Sequence, residues 1–134
     1  MSDVNDVLAA NESFYRAFGA GDFDAMTAVW TAGPIASCIH PGWPPVRGRE
    51  KVMETWRHIL VEPPKPPIRP LEADALIHGD SAVVVCYEAI GQIFLSASNV
   101  FVREKGGWRL VHHQSGQSEK VPKSILEQTD KTIH

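Results

Sequence analysis

The chain carries six histidines and two cysteines, and these, with a few polar residues in apolar surroundings, are the side chains best suited to chemistry near neutral pH. His40 stands out. It closes the apolar stretch Ile35 to His40 and precedes Pro41, which restricts how the chain leaves. An imidazole at the end of a buried strand can take or deliver a proton, as general acid–base chemistry requires. The alternative is a structural histidine whose ring nitrogen bonds a carbonyl of the HPGWPP loop. Asn99 lies in a strand of apolar and small residues, on one face with Ala97 and Phe101, so its amide needs interior partners. Those partners are either core groups across the sheet or a ligand oxygen.

Strict alternation over Trp108 to Ser115 puts Trp108, Leu110, His112 and Gln114 on one side. Arg109, Val111, His113 and Ser115 fall on the other. Adjacent strand residues point oppositely, so at most one of the two histidines joins His40. Alternation does not say which face is inner; the reading adopted is His112 with Gln114, leaving His113 to the outer surface. Glu88 follows VVVCY in the most apolar strand, where an unpaired charge is costly. Either it faces the interior or, the commoner solution, it pairs with Arg103 or Arg109 on the sheet surface. Asp74 is the other carboxylate in a strand. Tyr87, on the face opposite Glu88, is expected to lend a hydroxyl to a cavity. Phe14, Trp56, Phe101 and Trp30 are expected in an apolar, water-poor wall, with Trp43 in a Pro/Gly loop where core packing is weakest. Arg47 and Arg49 flank Gly48 at a helix start, where a cation opposes the dipole, so one of them is a candidate partner for an anionic ligand group. No His-x-His or His-x-x-x-His spacing occurs, so no metal site is expected, and no cofactor; Cys38 reads as an inert thiol.

Three amphipathic helices are expected to position these groups: Val4 to Phe18, a short one after the N-cap Asp22, and Arg49 to Leu60. Period two and β-branched residues then take over, with strands at Leu71–Ile77, Ala82–Ile90, Ile93–Glu104 and Trp108–Ser115. Ile35–His40 is a short strand between the second and third helices. The segment EPPKPPIRP, with five of the ten prolines, reads as an extended connector too short to separate domains. Helices followed by antiparallel strands give an α+β fold: three N-terminal helices on a strongly curved, mostly antiparallel sheet, a cone-shaped half-barrel with an internal pocket. Residues 1–116 form that single domain, and 117–134 a polar, loosely ordered tail with one helical turn around Lys123–Gln128.

At 134 residues, 43% hydrophobic and a net charge of −3, the chain suits one globular domain and lacks the basic surplus that nucleic acid demands. No apolar run approaches the roughly 18 residues that span a bilayer. Two cysteines make no disulfide framework, so a cytoplasmic setting with reduced thiols is expected. The expected partners are a small apolar or aromatic molecule and a second copy of the chain, bound through the convex sheet face.

Three segments carry a resemblance: FYRAFGAGDFDAMTAVW (Phe14 to Trp30), HPGWPPVRGREKVMETW (His40 to Trp56) and SNVFVREKGGWRLVHHQSG (Ser98 to Gly116). Their order and spacing resemble the nuclear-transport-factor-2-like superfamily of cone-shaped α+β barrels, and within it the SnoaL-like group. The resemblance covers residues 4 to 116. It is specific for fold and poor for function, because this fold hosts isomerases, dehydratases, hydrolases, cyclases and assembly domains. By comparison with the ketosteroid isomerases, the catalytic carboxylate before a proline falls at His40-Pro41, and the protonated acid of the oxyanion site at Asn99. The catalytic tyrosine falls at Phe14, which has no hydroxyl, and Tyr15 is turned about 100° to another face. A lost oxyanion donor costs on the order of 3 kcal/mol, so steroid isomerisation is not expected. The resemblance implies His40, Asn99 and His112 as catalytic, and Phe14, Trp43, Trp56, Tyr87, Phe101 and Gln114 around a substrate. The implied activity is proton transfer on an apolar carbonyl compound. The alternative is a non-catalytic ligand-binding or assembly module, the use made of this fold by calmodulin-dependent kinase association domains.

Overall fold

A computed structural model describes residues 2–126. The first helix, α1 (Asp3–Ala20), starts where the Ser2 hydroxyl accepts from the Asn5 N–H. It stops at Gly21, whose positive φ of 64° forms the left-handed cap, and a Cβ there would meet the Leu60 carbonyl at 3.0 Å. Asp22 caps α2 (Phe23–Val29) through the Ala25 N–H. Strand β1 (Ser37–Ile39) pairs with a two-residue strand β2 (Val46–Arg47), which sequence periodicity cannot reveal. Helix α3 (Arg49–Ile59) follows, then β3 (Arg69–His78), β4 (Ser81–Ile90), β5 (Ile93–Glu104) and β6 (Gly107–Gln117).

The six strands form one mixed, open sheet in the order β2-β1-β6-β5-β4-β3, with β1 parallel to β6 and the other pairs antiparallel. Helix α1 lies across β3, β4 and β6. Its buried stripe of Val7, Asn11, Phe14, Tyr15, Ala17 and Phe18 is wide enough to face both the sheet and Trp56 of α3. Beyond β6, the Ser124 N–H and hydroxyl donate to the Glu72 carboxylate of β3, so the start of the tail is tied to the sheet. The expected helical turn begins at 123, and its remainder lies outside the described residues.

Two irregularities set which residues face the helices. One lies in β3 between Leu71 and Asp74, where Glu72 has a φ of 54°. The other lies in β6. Phe101 pairs with Leu110 but Val100 pairs with His112, leaving Val111 as an extra residue. Such a bulge reverses the alternation beyond it. Trp108 and Leu110 therefore face inward, and so do His113 and Ser115, while His112 and Gln114 do not.

The core is aromatic. Trp56 is fully buried and meets Phe14 and Phe18 edge-on, with ring centroids 5.6 and 4.9 Å away. Truncating such a residue removes its burial and leaves a cavity. Trp56→Ala is therefore expected to destabilise the fold by about 3–5 kcal/mol in urea denaturation. A loss below about 1 kcal/mol would show that α3 is not seated on the core as described.

Candidate active site

The concave face contains a connected set of buried polar side chains. Glu88 comes from β4, Tyr15 and Asn11 from α1, Asn99 from β5, and His113 and Ser115 from β6; all are at most 4% exposed. The Tyr15 hydroxyl donates to Glu88 Oε2 at 2.7 Å, and the Ser115 hydroxyl to Oε1 at 2.5 Å. Asn99 Nδ2 donates to Tyr15 Oη at 3.0 Å and to Asn11 Oδ1 at 2.9 Å. Its Oδ1 lies 2.6 Å from His113 Nδ1. His113 Nε2 stands 3.8 Å from Glu88 Oε2 and closes the ring of contacts.

Burial dominates the electrostatics. It raises the Glu88 pKa against the opposing pull of the Ser115 and Tyr15 hydrogen bonds, and pushes Tyr15 well up, with the Glu88 charge adding to the effect. Burial also drives His113 down to about 3, helped by the neighbouring His40 and His112, and drives His40 down to about 4. The two thiols, Cys38 and Cys86, are pushed up to about 11 by burial and so stay protonated.

His40 sits at the rim of this cluster. Its ring is 6.2 Å from His113, 5.0 Å from Trp56 and 5.1 Å from Trp43. Its Nε2 lies 3.0 Å from Thr55 Oγ1 and 3.3 Å from Cys38 Sγ. The Thr55 hydroxyl donates to the Val52 carbonyl at 2.6 Å, so toward His40 it can only accept. His40 is therefore the Nε2–H tautomer, with its lone pair on Nδ1. A depression of about 640 Å³, lined by Trp43, Val46, Lys51 and Thr55 among others, lies on the outer side of this rim.

The structure brings together His40, Asn99, Phe14 and Trp56 of the expected residues, with Trp43 at the rim. Phe101 lies in the same core, fully buried opposite Leu110. It does not bring in His112. That ring lies beyond the Val111 bulge, with Nδ1 2.7 Å from Ser37 Oγ, and His113 takes the interior place. Gln114 and Tyr87 are likewise on the outer face, where they line a depression with Val85, Ser96 and Ser98. Glu88 is not a surface partner of Arg103 or Arg109. Arg103 pairs with Asp3 and Asp80, and Arg109 donates to the Trp108 carbonyl. Arg49 is used internally, donating to the Thr31 and Thr27 carbonyls. The concave interior expected as an open cup is filled at its centre: Asn99, Phe14, Phe101 and Trp56 have no exposed surface.

Sequence reasoning missed Tyr15, Asn11 and Ser115. Val7, Asn11, Tyr15 and Phe18 follow helical spacing, and the polar members of that stripe were the available signal. Ser115 needed the bulge. Among the described residues, no group of three His, Cys, Asp or Glu is arranged to hold a metal ion.

Three helices on a curved six-stranded sheet, with polar groups gathered beneath the helices, define the nuclear-transport-factor-2-like class of α+β domains. The chain belongs to the SnoaL-like domain family, which matches residues 7–117. Solved structures agree. A provisionally assigned dehydratase of the NTF2-like family from Streptomyces avermitilis is 27% identical, with a TM-score of 0.76 over 88% of this chain and 97% of that one. A provisionally assigned calcium/calmodulin-dependent protein kinase type II association domain from Thiobacillus denitrificans is 31% identical, with a TM-score of 0.70 over 84% and 94%. A provisionally assigned ketosteroid isomerase from Parabacteroides distasonis, 11% identical with a TM-score of 0.68 over 87% and 88%, shares the fold. Among curated proteins, none matches this sequence.

The two depressed imidazoles make a testable acid-side signature. Their folded-state pKa values lie below the ordinary 6.5, so their stabilisation is complete above that pH. It is lost as pH falls from 6.5 toward about 4 for His40 and about 3 for His113. Glu88, raised in the fold, acts oppositely: its contribution is complete below its ordinary 4.5 and is lost as pH rises through the elevated value. Each histidine adds a slope approaching about 1.4 kcal/mol per pH unit. His113→Gln is expected to remove roughly half of the histidine-dependent slope between about pH 6 and 4.5, measured by urea denaturation at a series of pH values. An unchanged slope would mean that His113 is not buried as a neutral ring.

Proposed function

We propose that this protein catalyses proton transfer next to the carbonyl of a small, largely apolar molecule, an isomerisation, cyclisation or dehydration. The observation that carries the reading is the buried Glu88–His113 pair, 3.8 Å apart beneath the His40 rim. Among the described residues His113 is the only basic side chain within ion-pair distance of Glu88. A carboxyl pushed up beside imidazoles pushed down is the divergence that acid–base sites use to split donor and acceptor roles. On this reading a substrate reaches the pair from the depression beside Trp43 and Thr55, parting the contacts among Trp43, His40 and Trp56. The aromatic surroundings suit an apolar body.

His40 Nδ1 takes the proton from the carbon beside the carbonyl while Glu88 gives its proton to the carbonyl oxygen, producing an enol. Returning the His40 proton to another carbon, with the enol proton going back to Glu88, completes an isomerisation. Passing the His40 proton to a departing β-hydroxyl, which leaves as water, while the enol proton returns to Glu88, completes a dehydration. The likeness to a provisionally assigned dehydratase supports this class of reaction. The two buried, unpaired thiols suit a reducing compartment such as the cytoplasm.

Proton NMR in heavy water tests the reading without knowledge of the product. The protein is incubated with a panel of small apolar ketones, enones and β-hydroxyketones, and exchange beside each carbonyl is followed. At least one compound is expected to exchange faster with the protein. Glu88→Gln and His40→Ala are expected to slow it about a hundredfold or more while unfolding remains cooperative. No acceleration across the panel, or full activity in both variants, would overturn the reading.

A second reading, assembly, is favoured by the outer sheet face. There Leu76 and Val85 are 53% and 43% exposed, with Val83, Val100 and Tyr87 beside them. The 31% identical association domain also favours it. We read this convex face as the contact between two copies of the chain, which is compatible with catalysis. Native mass spectrometry is expected to show a dimer for the wild type and a monomer for Val85→Arg. A monomeric wild type would remove this reading.

A further inference from the structure

The polar cluster can be followed proton by proton, and the count leads to Asn99. The Tyr15 hydroxyl has one proton, and it is committed to Glu88 Oε2 at 2.7 Å. Tyr15 Oη can therefore only accept from its other polar neighbours, Asn99 at 3.0 Å and the Cys86 thiol at 3.6 Å. That requirement turns the Asn99 amide so that Nδ2 faces Tyr15, and the second Nδ2 proton goes to Asn11 Oδ1 at 2.9 Å. Oδ1 is left facing His113 Nδ1 at 2.6 Å, and an amide oxygen there requires an N–H from the ring. A neutral imidazole with its proton on Nδ1 has a lone pair on Nε2, the atom 3.8 Å from Glu88 Oε2. Facing a lone pair, an ionised carboxylate is repelled, whereas a protonated one has an acceptor in front of it.

We propose that Asn99 is a positioning residue: its amide sets the His113 tautomer, turning an unprotonated Nε2 toward Glu88 so that Glu88 is the member of the pair that bears the proton. The other titratable groups around the ring do not reverse this. Tyr15 already donates to the carboxyl, and the His40 ring lies 6.2 Å from the His113 ring with its Nε2–H directed to Thr55. His112, next along the strand, is turned to Ser37. Asn99 thereby acts through His113 and Tyr15, not on a substrate. The inference deepens the proton-transfer reading, for which it supplies the resting place of the acid's proton, but the tautomer exists without substrate and is measured without turnover.

The test is proton–nitrogen correlation NMR on full-length protein labelled with ¹⁵N-histidine, with the His113 ring assigned by its loss in His113→Gln. The wild type is expected to show His113 as the neutral Nδ1–H tautomer from about pH 5 to 8, as its buried ring does not charge in that range. Asn99→Leu has similar volume and no acceptor, so its major His113 species is expected to switch to Nε2–H, directed at Glu88. A merely structural asparagine would change stability in that variant and leave the tautomer alone. A wild-type ring that is Nε2–H or doubly protonated overturns the proposal, as does an Asn99→Leu ring that stays Nδ1–H. If the leucine variant does not fold, the wild-type tautomer alone decides. An Nδ1–H ring in a protein that exchanges no carbonyl compound would refute the catalytic reading and leave this one standing.

Discussion

The constraint on which the architecture turns is a carboxyl group buried without a cation. Glu88 projects from the most apolar strand into the space beneath α1, and an ionised carboxylate there faces a desolvation cost of several kcal/mol. The fold meets it with two hydroxyls from different elements, Tyr15 from α1 and Ser115 from β6, and with an imidazole in place of a lysine or arginine. Tyr15 and His113 are in turn both bonded by Asn99 of β5, so the position of α1 on the sheet and the register of β5 against β6 are tied to one side chain. One atom of the network, Asn11 Nδ2, is buried without a hydrogen-bond partner, at a cost, while the connected members favour one arrangement of helix and sheet.

A single extra residue makes this possible. Without the bulge at Val111, the alternation that buries Trp108 and Leu110 would carry His112 and Gln114 inward and turn His113 and Ser115 to the outer face. Glu88 would then lose both Ser115 and His113. The bulge also sets the outer face, placing Gln114 beside Ser98 and His112 beside Val100. One backbone irregularity thus serves the interior cluster and the exterior face at once.

Much of this was legible in the sequence, and the exceptions have physical causes. Helices and strands followed from periodicity because α1 and α3 each bury one stripe, and the long strands alternate over most of their length. Strand β2 escaped because two residues have no period. His113 was misplaced because alternation counts residues, and a bulge is a break in that count which no local residue type announced. For Glu88 a surface pairing was preferred over the interior by the rule that buried charges need countercharges. The rule applies to ionised groups, and burial here favours the neutral acid. Tyr15 was set aside because it follows Phe14, yet α1 faces both sheet and α3 and buries two consecutive residues. The rim residues His40 and Trp43 were legible because Pro41 and the Gly/Pro loop mark where a strand gives way to a loop.

The account therefore stands on the protonation of one carboxyl more than on any feature of the fold. Infrared difference spectroscopy of wild type against Glu88→Gln, in water and heavy water at neutral pH, reads that state directly. A carbonyl stretch characteristic of an un-ionised carboxylic acid, present in the wild type and absent from the variant, is the result the account predicts. A difference spectrum holding only carboxylate bands would show that Glu88 is ionised at rest and would contradict it.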